Sequence, residues 1–365
     1  MAEAPPAFPL PPGSTIGILG GGQLGRMLSL AAARLGFDTT VLAPEADAPA
    51  ARVAARHILA PYDDPAALME LARAADVVTF EFENVPAAVV ERLTRAGVIV
   101  APGARALAVA QDRLEEKTFL NAAGIATVAF AQVDGPKDVA AAIERLGGRV
   151  LLKTRRDGYD GKGHAWVDSA GAAQEALARI GGGPAIAEAP ANFRREVSII
   201  AARGRGGEIA VYPLSENHHE GGILRRASAP ARASGPIVDE ARRIAAALLG
   251  ALDYVGVLAV ELFECDDGVL LVNEFAPRVH NTGHWTLDGC EVDQFEQHVR
   301  AIAGWPLGPT AAIAQVEMTN LLGDDIAAWA ALAAEPHARL WLYGKSAPRP
   351  GRKMGHVNRL RPLEA

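Results

Sequence analysis

Residues 261–284 read ELFECDDGVLLVNEFAPRVHNTGH, and this stretch decides the fold. Two apolar runs, 257–263 and 269–275, flank Cys265-Asp266-Asp267-Gly268. Aspartate followed by glycine between apolar runs is a hairpin signal, because a tight turn needs residues that accept unusual backbone angles. With Asp266 and Asp267 as the loop pair, Glu261 lies opposite Val272. Side chains alternate between the faces of a strand, so Glu274 shares the face of Glu261 as its diagonal neighbour, at roughly 7–8 Å between backbones. Two carboxylates so placed repel unless one keeps its proton or a cation lies between them. Magnesium takes one or two protein carboxylates and completes its octahedron with phosphate oxygens, so the pair implies a nucleotide as its companion. A solvated sheet face is the competing account of the same two glutamates.

The polar tail of this stretch holds Arg278, His280, Asn281 and His284, which read as donors to a substrate beside the metal. His280 and His284 also have the spacing of a helical metal pair, but Pro277 and Gly283 argue against a helix there. Lys153 ends an apolar strand and is followed by Arg155-Arg156-Asp157-Gly158-Tyr159-Asp160-Gly161-Lys162-Gly163. Three glycines let such a loop fold over phosphates and expose its N–H groups, although a surface turn has the same composition. Near the end, Lys345, Arg349, Arg352 and Lys353 cluster in a loop marked by Pro348, Pro350 and Gly351. A phosphate clamp and a solvated charge run both fit.

At the other end, residues 15–19 form an apolar strand that runs into Gly20, Gly22 and Gly25, spaced G-x-G-x-x-G before an Ala/Leu-rich helix. With Glu45 about twenty residues on, this is the dinucleotide fingerprint. A helix N-terminus attracts phosphate of any kind, so another phosphate ligand is the stronger expectation. Further strands fall at 39–42, 76–80 and 98–100, and strands alternating with helices imply a parallel sheet. Glu81 and Glu83 share one face at the end of the third strand, where ligands of open parallel sheets bind. Glu83 and Asn84 would also suit the start of a helix at Val85-Pro86.

The chain has 365 residues, half of them hydrophobic, enough for two or three domains. A net charge of -7 argues against a general nucleic-acid or acidic-membrane surface, so phosphate recognition must be local. The Pro-rich segment 1–14 reads as a disordered leader on a cytoplasmic protein, and the two cysteines read as reduced thiols. Residues 15–104 form the Rossmann-like unit. From about 105 the strands and helices stop alternating regularly, which favours an α+β layer.

Taken together, Gln23-Leu24, Glu81, the 158–163 loop, Glu261 with Asn273-Glu274, the 277–285 tail and the 349–353 cluster carry a resemblance. The chain resembles the ATP-grasp ligases, and among them the 5-(carboxyamino)imidazole ribonucleotide synthase family of purine biosynthesis. The resemblance implies an α/β and α+β protein: an N-terminal Rossmann-like parallel sheet, an ATP-grasp domain over 105–300 and a small C-terminal domain over 301–365. It implies that ATP meets Arg113, Lys153, Asp157, Gly158, Tyr159, Asp160, Gly161, Lys162, Gly163, Glu188, Ala189, Pro190, Ala191, Glu196, His219, Asn273 and Glu274. Magnesium would sit on Glu261 and Glu274. The ribonucleotide would meet Gln23, Leu24, Glu81, Tyr159, Asp160, Arg278, His280 and Asn281, with its phosphate on Lys345, Arg352 and Lys353. Bicarbonate and ATP would complete the substrates, and the enzyme would be a homodimer. Two departures stand out: Asp157 occupies a position where glycine is common, and Pro190 removes one backbone donor from the adenine hinge. A formate-dependent sister ligase acting on glycinamide ribonucleotide, an NAD-dependent oxidoreductase and a non-catalytic nucleotide-binding module are the competing readings.

Overall fold

The structure, a computed structural model, describes residues 6–158 and 163–363. Strands β1 (Thr15–Leu19), β2 (Asp38–Ala43), β3 (Arg56–Leu59) and β4 (Val77–Phe80) form a parallel sheet in the order β3-β2-β1-β4. Strands β1 and β4 are almost wholly buried, as a sheet covered on both faces requires. The fourth strand expected at 98–100 reduces to a single bridge between Val78 and Val100. Edge strand β3 was not foreseen, because only Ile58 of its four residues is buried and no alternation can be read from so short a run.

A second, antiparallel sheet holds β5 (Phe130–Val133), β6 (Val150–Thr154), β7 (His164–Val167) and β8 (Ala185–Glu188) in the order β5-β8-β6-β7. The third sheet contains β9 (Phe193–Arg203), β10 (Ile209–Val211), β11 (Ser215–Glu220), β12 (Ile223–Ala229), β13 (Gly256–Cys265), β14 (Leu270–Ala276), β15 (Gln315–Leu322), β16 (Ala338–Leu342) and β17 (Lys353–Arg361). Its main path runs β14-β13-β9-β11-β12-β15-β17-β16, with β10 beside β9. The division expected at 300/301 therefore lies within one continuous sheet. No helix among the described residues is long and apolar enough to cross a membrane.

The two faces of the large sheet have different neighbours. Val197, Ile199, Leu258 and Val260 pack with Ile244 and Leu248 of the helix Gly235–Ala251. Ile200, Ala202, Val257 and Ala259 share a core with Leu28 and Met27 of the first unit and with Trp285 and Phe295. Glu261 continues the Val257, Ala259 row, so it emerges on the face turned toward the parallel sheet.

The hairpin differs from the expected register at two places. Cys265 donates its N–H to Val269 O at 2.9 Å, and Gly268 donates to Cys265 O at 3.0 Å with φ of 81°. The loop is thus three residues closed by a left-handed glycine, one longer than expected. A bulge at Asn273 adds a second residue, since Leu262 pairs with Val272 while Glu261 pairs with Glu274. The two offsets sum to one full pleat. Glu274 keeps the face of Glu261, but directly opposite it and not on the diagonal; without the bulge Asn273 would face Glu261 and the carboxylates would point apart.

Residues 6–14 are an ordered strap, contrary to the disordered leader expected for 1–14. Leu10 is 2 % exposed; its N–H reaches Ala303 O at 2.9 Å and its carbonyl accepts from Trp305 Nε1 at 2.8 Å. The Phe8 ring lies 3.7 Å from the Arg205 guanidinium carbon. Composition alone hid this, because the apolar surface that receives Phe8 and Leu10 is built by the helix Gln294–Ala303, far along the chain. Leu10→Ala should lower unfolding free energy by about 2–5 kcal/mol in urea titration, whereas a loose leader would give no change.

Candidate active site

Glu261 and Glu274 meet at the mouth of a cleft between the large sheet and the second sheet. Arg113, at the start of the helix Arg113–Ala122, places Nη1 2.8 Å from Glu274 Oε2 and donates from Nη2 to Gly158 O at 3.2 Å. Desolvation would raise the Glu274 pKa, but Arg113 more than reverses it and holds it below the ordinary value. Glu261 goes the other way: desolvation and then the Glu274 charge push it up. His280 Nε2 stands 3.8 Å from Glu261 Oε1. His280 Nδ1 lies 2.9 Å from Thr282 Oγ1 and 3.4 Å from the Thr282 nitrogen, which turns Nε2 toward the carboxylate. Burial, then Arg278, keeps this imidazole neutral by holding its pKa well down. Two carboxylates with open surface, Glu274 about 38 % exposed, suit a cation that takes few protein ligands and finds the rest on phosphate oxygens. Among the described residues there is no group of three or more His, Cys, Asp or Glu that could hold a metal by itself.

The other wall of the cleft is a ring of charges. Lys153 Nζ lies 2.7 Å from Glu188 Oε2 and 3.5 Å from Asn273 Oδ1. Lys117 Nζ lies 3.1 Å from Glu188 Oε1 and 3.1 Å from the Asn273 carbonyl. Burial would raise Glu188, yet Lys153 and Lys117 together bring it down to about 2. On the large sheet, Glu196 Oε2 meets His219 Nδ1 at 2.6 Å, on the same face as Glu261. Beyond Glu188, Ala189 gives its N–H to Ala129 O at 2.8 Å, and Pro190 has none, so Ala191 is the backbone donor left in the hinge. Asp157 has φ of 60°, the left-handed region where glycine is easiest and aspartate is tolerated. Tyr159, Asp160, Gly161 and Lys162 lie outside the described residues; Gly163 closes the loop by accepting the Thr154 N–H at 2.8 Å.

A second hollow of about 280 Å³ opens beside the glycine loop of the first unit, lined by Gln23, Glu81, Tyr62, Lys345, Ser346 and Arg352 among others. The loop does not offer its N–H groups to a dinucleotide. Gly22 N–H donates to Glu81 Oε1 at 2.5 Å and Gly25 N–H to Glu81 Oε2 at 2.6 Å, so a carboxylate of the chain itself occupies the helix N-terminus. A Cβ on Gly20 or Gly22 would collide with this side chain, which explains the glycines without a pyrophosphate. The NAD reading is thereby corrected, and a ligand of the hollow would meet the outer side of this turn, at Gly21 and Gln23.

Several expected ligand contacts turn inward. Leu24 belongs to the core, Asn281 exchanges two amide hydrogen bonds with Asn320 at 3.0 and 2.6 Å, and His284 is buried between Phe295 and His356. Lys353 is absent from the lining of the second hollow; its charge adds to that of Arg278, which against the effect of burial holds the Glu83 pKa below the ordinary value. Glu83, expected at a helix start, pairs with Arg278 across the two units. Arg278, Arg113, Gly158, Asp157, Glu274 and His280 line one small cavity. Glu116, Lys117 and Tyr62 went unnoticed. The signal for two of them was present: Arg113, Glu116, Lys117 and Leu120 recur at helical spacing, a charged stripe that continues into the buried face.

The arrangement is a carboxylate pair on the large sheet beside a lysine–glutamate ring that reaches the second sheet, and family comparison places the chain among the ATP-grasp ligases. Residues 118–295 match the ATP-grasp domain, 14–111 the ribonucleotide synthetase preATP-grasp domain, and 317–363 the phosphoribosylaminoimidazole carboxylase C-terminal domain. The N5-carboxyaminoimidazole ribonucleotide synthase of Brucella melitensis biotype 1 is 53% identical, over 97% of this chain and 98% of that protein. That of Bacillus subtilis is 39% identical, over 97% and 93%. Among solved structures, the Thermus thermophilus synthetase superposes with a TM-score of 0.88 at 47% identity, covering 95% of this chain and 93% of that one. The Aspergillus clavatus synthase, in complex with ADP and 5-aminoimidazole ribonucleotide, gives 0.90 at 32% identity, over 96% and 94%. The chain belongs to the N5-carboxyaminoimidazole ribonucleotide synthase family.

The Glu188 carboxyl, drawn from 4.5 to about 2, contributes stability that is complete above pH 4.5 and is lost as pH falls toward 2. The contribution is on the order of 3 kcal/mol. Urea unfolding as a function of pH should therefore show the gap between wild type and Glu188→Gln shrinking across that window; a gap independent of pH would contradict the assignment.

Proposed function

We propose that this chain uses ATP and bicarbonate to carboxylate the exocyclic amine of 5-aminoimidazole ribonucleotide, giving N5-carboxyaminoimidazole ribonucleotide, ADP and phosphate. The observation that carries this reading is the adjacency of two sites: a cavity bounded by Glu274, Arg113 and Arg278, with the Lys153–Glu188 pair reaching Asn273 next to Glu274, suited to a triphosphate, and a hollow with Lys345 and Arg352 suited to a ribonucleotide phosphate. Arg278, held by Glu83, stands where the two meet.

In the first step an oxygen of bicarbonate attacks the γ-phosphorus, the bond to the bridging oxygen breaks, and ADP leaves with the electron pair. Carboxyphosphate results. In the second step the amine nitrogen attacks the carboxyl carbon, the carbon–oxygen bond to phosphate breaks, and the amine loses its proton. Lys153 and the loop ending at Gly163 neutralise charge on the transferred phosphoryl group. Glu261 and Glu274 would hold magnesium, which when bound draws charge from the phosphate oxygens. His280 stays neutral beside Glu261, and Arg278 offers a fixed positive charge close to it. Closure of the cleft over carboxyphosphate limits its hydrolysis. In the second hollow, Glu81 keeps the glycine loop rigid while Gln23, Lys345 and Arg352 face the ribonucleotide. The same reading takes the enzyme as a cytoplasmic homodimer, as the family resemblance implies.

ADP release, followed with each substrate omitted in turn, is expected to require the aminoimidazole ribonucleotide and not to be supported by formate with glycinamide ribonucleotide. Equal release without the aminoimidazole ribonucleotide would sink the proposal. Glu261→Gln or Glu274→Gln should lower kcat/KM by roughly 100-fold or more.

A further inference from the structure

Lys117 is a lysine with a 0% exposed side chain, and nothing in the reaction described above requires it. Lysine is almost never fully buried unless it is paired. Its partners come from two separate sheets: Glu188 at the end of β8, and the Asn273 carbonyl just before Glu274 on β14. Lys153 contacts the same two residues through their other oxygens, Glu188 Oε2 and Asn273 Oδ1. Four residues from four elements thus close a ring in which one carboxylate lies between two ammonium groups. A buried ion pair is weak evidence for stability, since apolar replacements of the same size are often neutral or better. The ring therefore calls for an account in terms of the cleft.

The two lysines differ in one respect. Lys153 keeps 16% of its side chain open to the cleft, whereas Lys117 reaches none of it. With Lys117 beside Glu188 Oε1, Lys153 is bound to that carboxylate through the other oxygen and to Asn273 Oδ1 at 3.5 Å, which leaves one of its three N–H groups for a ligand. If Lys117 were absent, a buried carboxylate would have Lys153 as its sole cation and would draw the ammonium inward. The Asn273 carbonyl would lose its partner as well, loosening the bulge that puts Glu274 opposite Glu261. We propose that Lys117 is a positioning residue: by holding one oxygen of Glu188 and the carbonyl of Asn273, it keeps the Lys153 ammonium directed at the nucleotide phosphates. This rests on the ATP-dependent reading of the cleft and adds a residue to it.

The test uses full-length protein, calorimetric titration with magnesium and the non-hydrolysable analogue AMP-PNP, and steady-state kinetics. Lys117→Met is expected to weaken AMP-PNP binding and raise the KM for ATP by about tenfold or more, the range seen for partners that orient a binding group. The KM for the aminoimidazole ribonucleotide should stay within about twofold, a split that a general loss of structure would not produce. Lys117→Arg keeps a buried cation able to donate to Glu188 and to the Asn273 carbonyl, and should hold AMP-PNP affinity within roughly threefold of wild type. Unchanged nucleotide affinity in Lys117→Met, or a Lys117→Arg variant as weak as Lys117→Met, would overturn the proposal. Should Lys117→Met fail to fold, Lys117→Gln, which keeps a donor without the charge, decides instead: a roughly tenfold loss of AMP-PNP affinity with the KM for the aminoimidazole ribonucleotide within about twofold supports the role, and unchanged affinity refutes it. A wild type that binds AMP-PNP without substrate-dependent ADP release would remove the proposed reaction while leaving this inference standing.

Discussion

The carboxylates of Glu261 and Glu274 face each other on neighbouring strands with Arg113 bound to only one of them, and much of the cleft can be understood as a response to that repulsion. Glu261 is pushed toward its protonated form, His280 stays neutral beside it, and cations are placed around the rim and not between the pair. A cation between the two carboxylates would relieve this repulsion, as the magnesium of the proposed reaction would.

Acidic groups elsewhere in the cleft are dealt with differently. Glu188 is flanked by two lysines, and Glu81 accepts from two backbone N–H groups of the glycine loop. The loop illustrates how one local pattern serves distinct ends. A strand–glycine–helix turn presents N–H groups to an anion, and whether that anion is a cofactor or a side chain depends on what the neighbouring strand carries. Here β4 is followed at once by Glu81, so the position is filled from within and the ligand surface moves outward to Gln23, Tyr62, Lys345 and Arg352.

How much of this was legible in the chain varies with the range of the interactions. The parallel unit, the helix beginning at Arg113 and the carboxylate hairpin follow from alternation and turn residues. Strand β11, Ser215–Glu220, could not be recognised, because SENHHE carries no apolar alternation; it is a strand through pairing with β9 and β12 on either side. His284 and Asn281 looked like ligands by residue type. Whether a polar side chain faces a cleft or a core partner such as Asn320 depends on β15, which enters the sheet some forty residues later.

Local chemistry in the chain was sufficient to determine that two glutamates would share a sheet face, that a lysine would precede a glycine-rich loop, and that phosphate chemistry would follow; these depend on neighbours a few residues apart. The tertiary structure alone decided which groups oppose one another. The bulge at Asn273 turned a diagonal pair into a facing one, the carboxylate of Glu81 excluded a dinucleotide from its fingerprint, and the helix Arg113–Ala122, set against both sheets, brought Lys117 to the carboxylate that Lys153 shares. Each outcome depends on charges and backbone groups meeting across large separations in sequence, where periodicity carries no information and only the packing of one segment on another does.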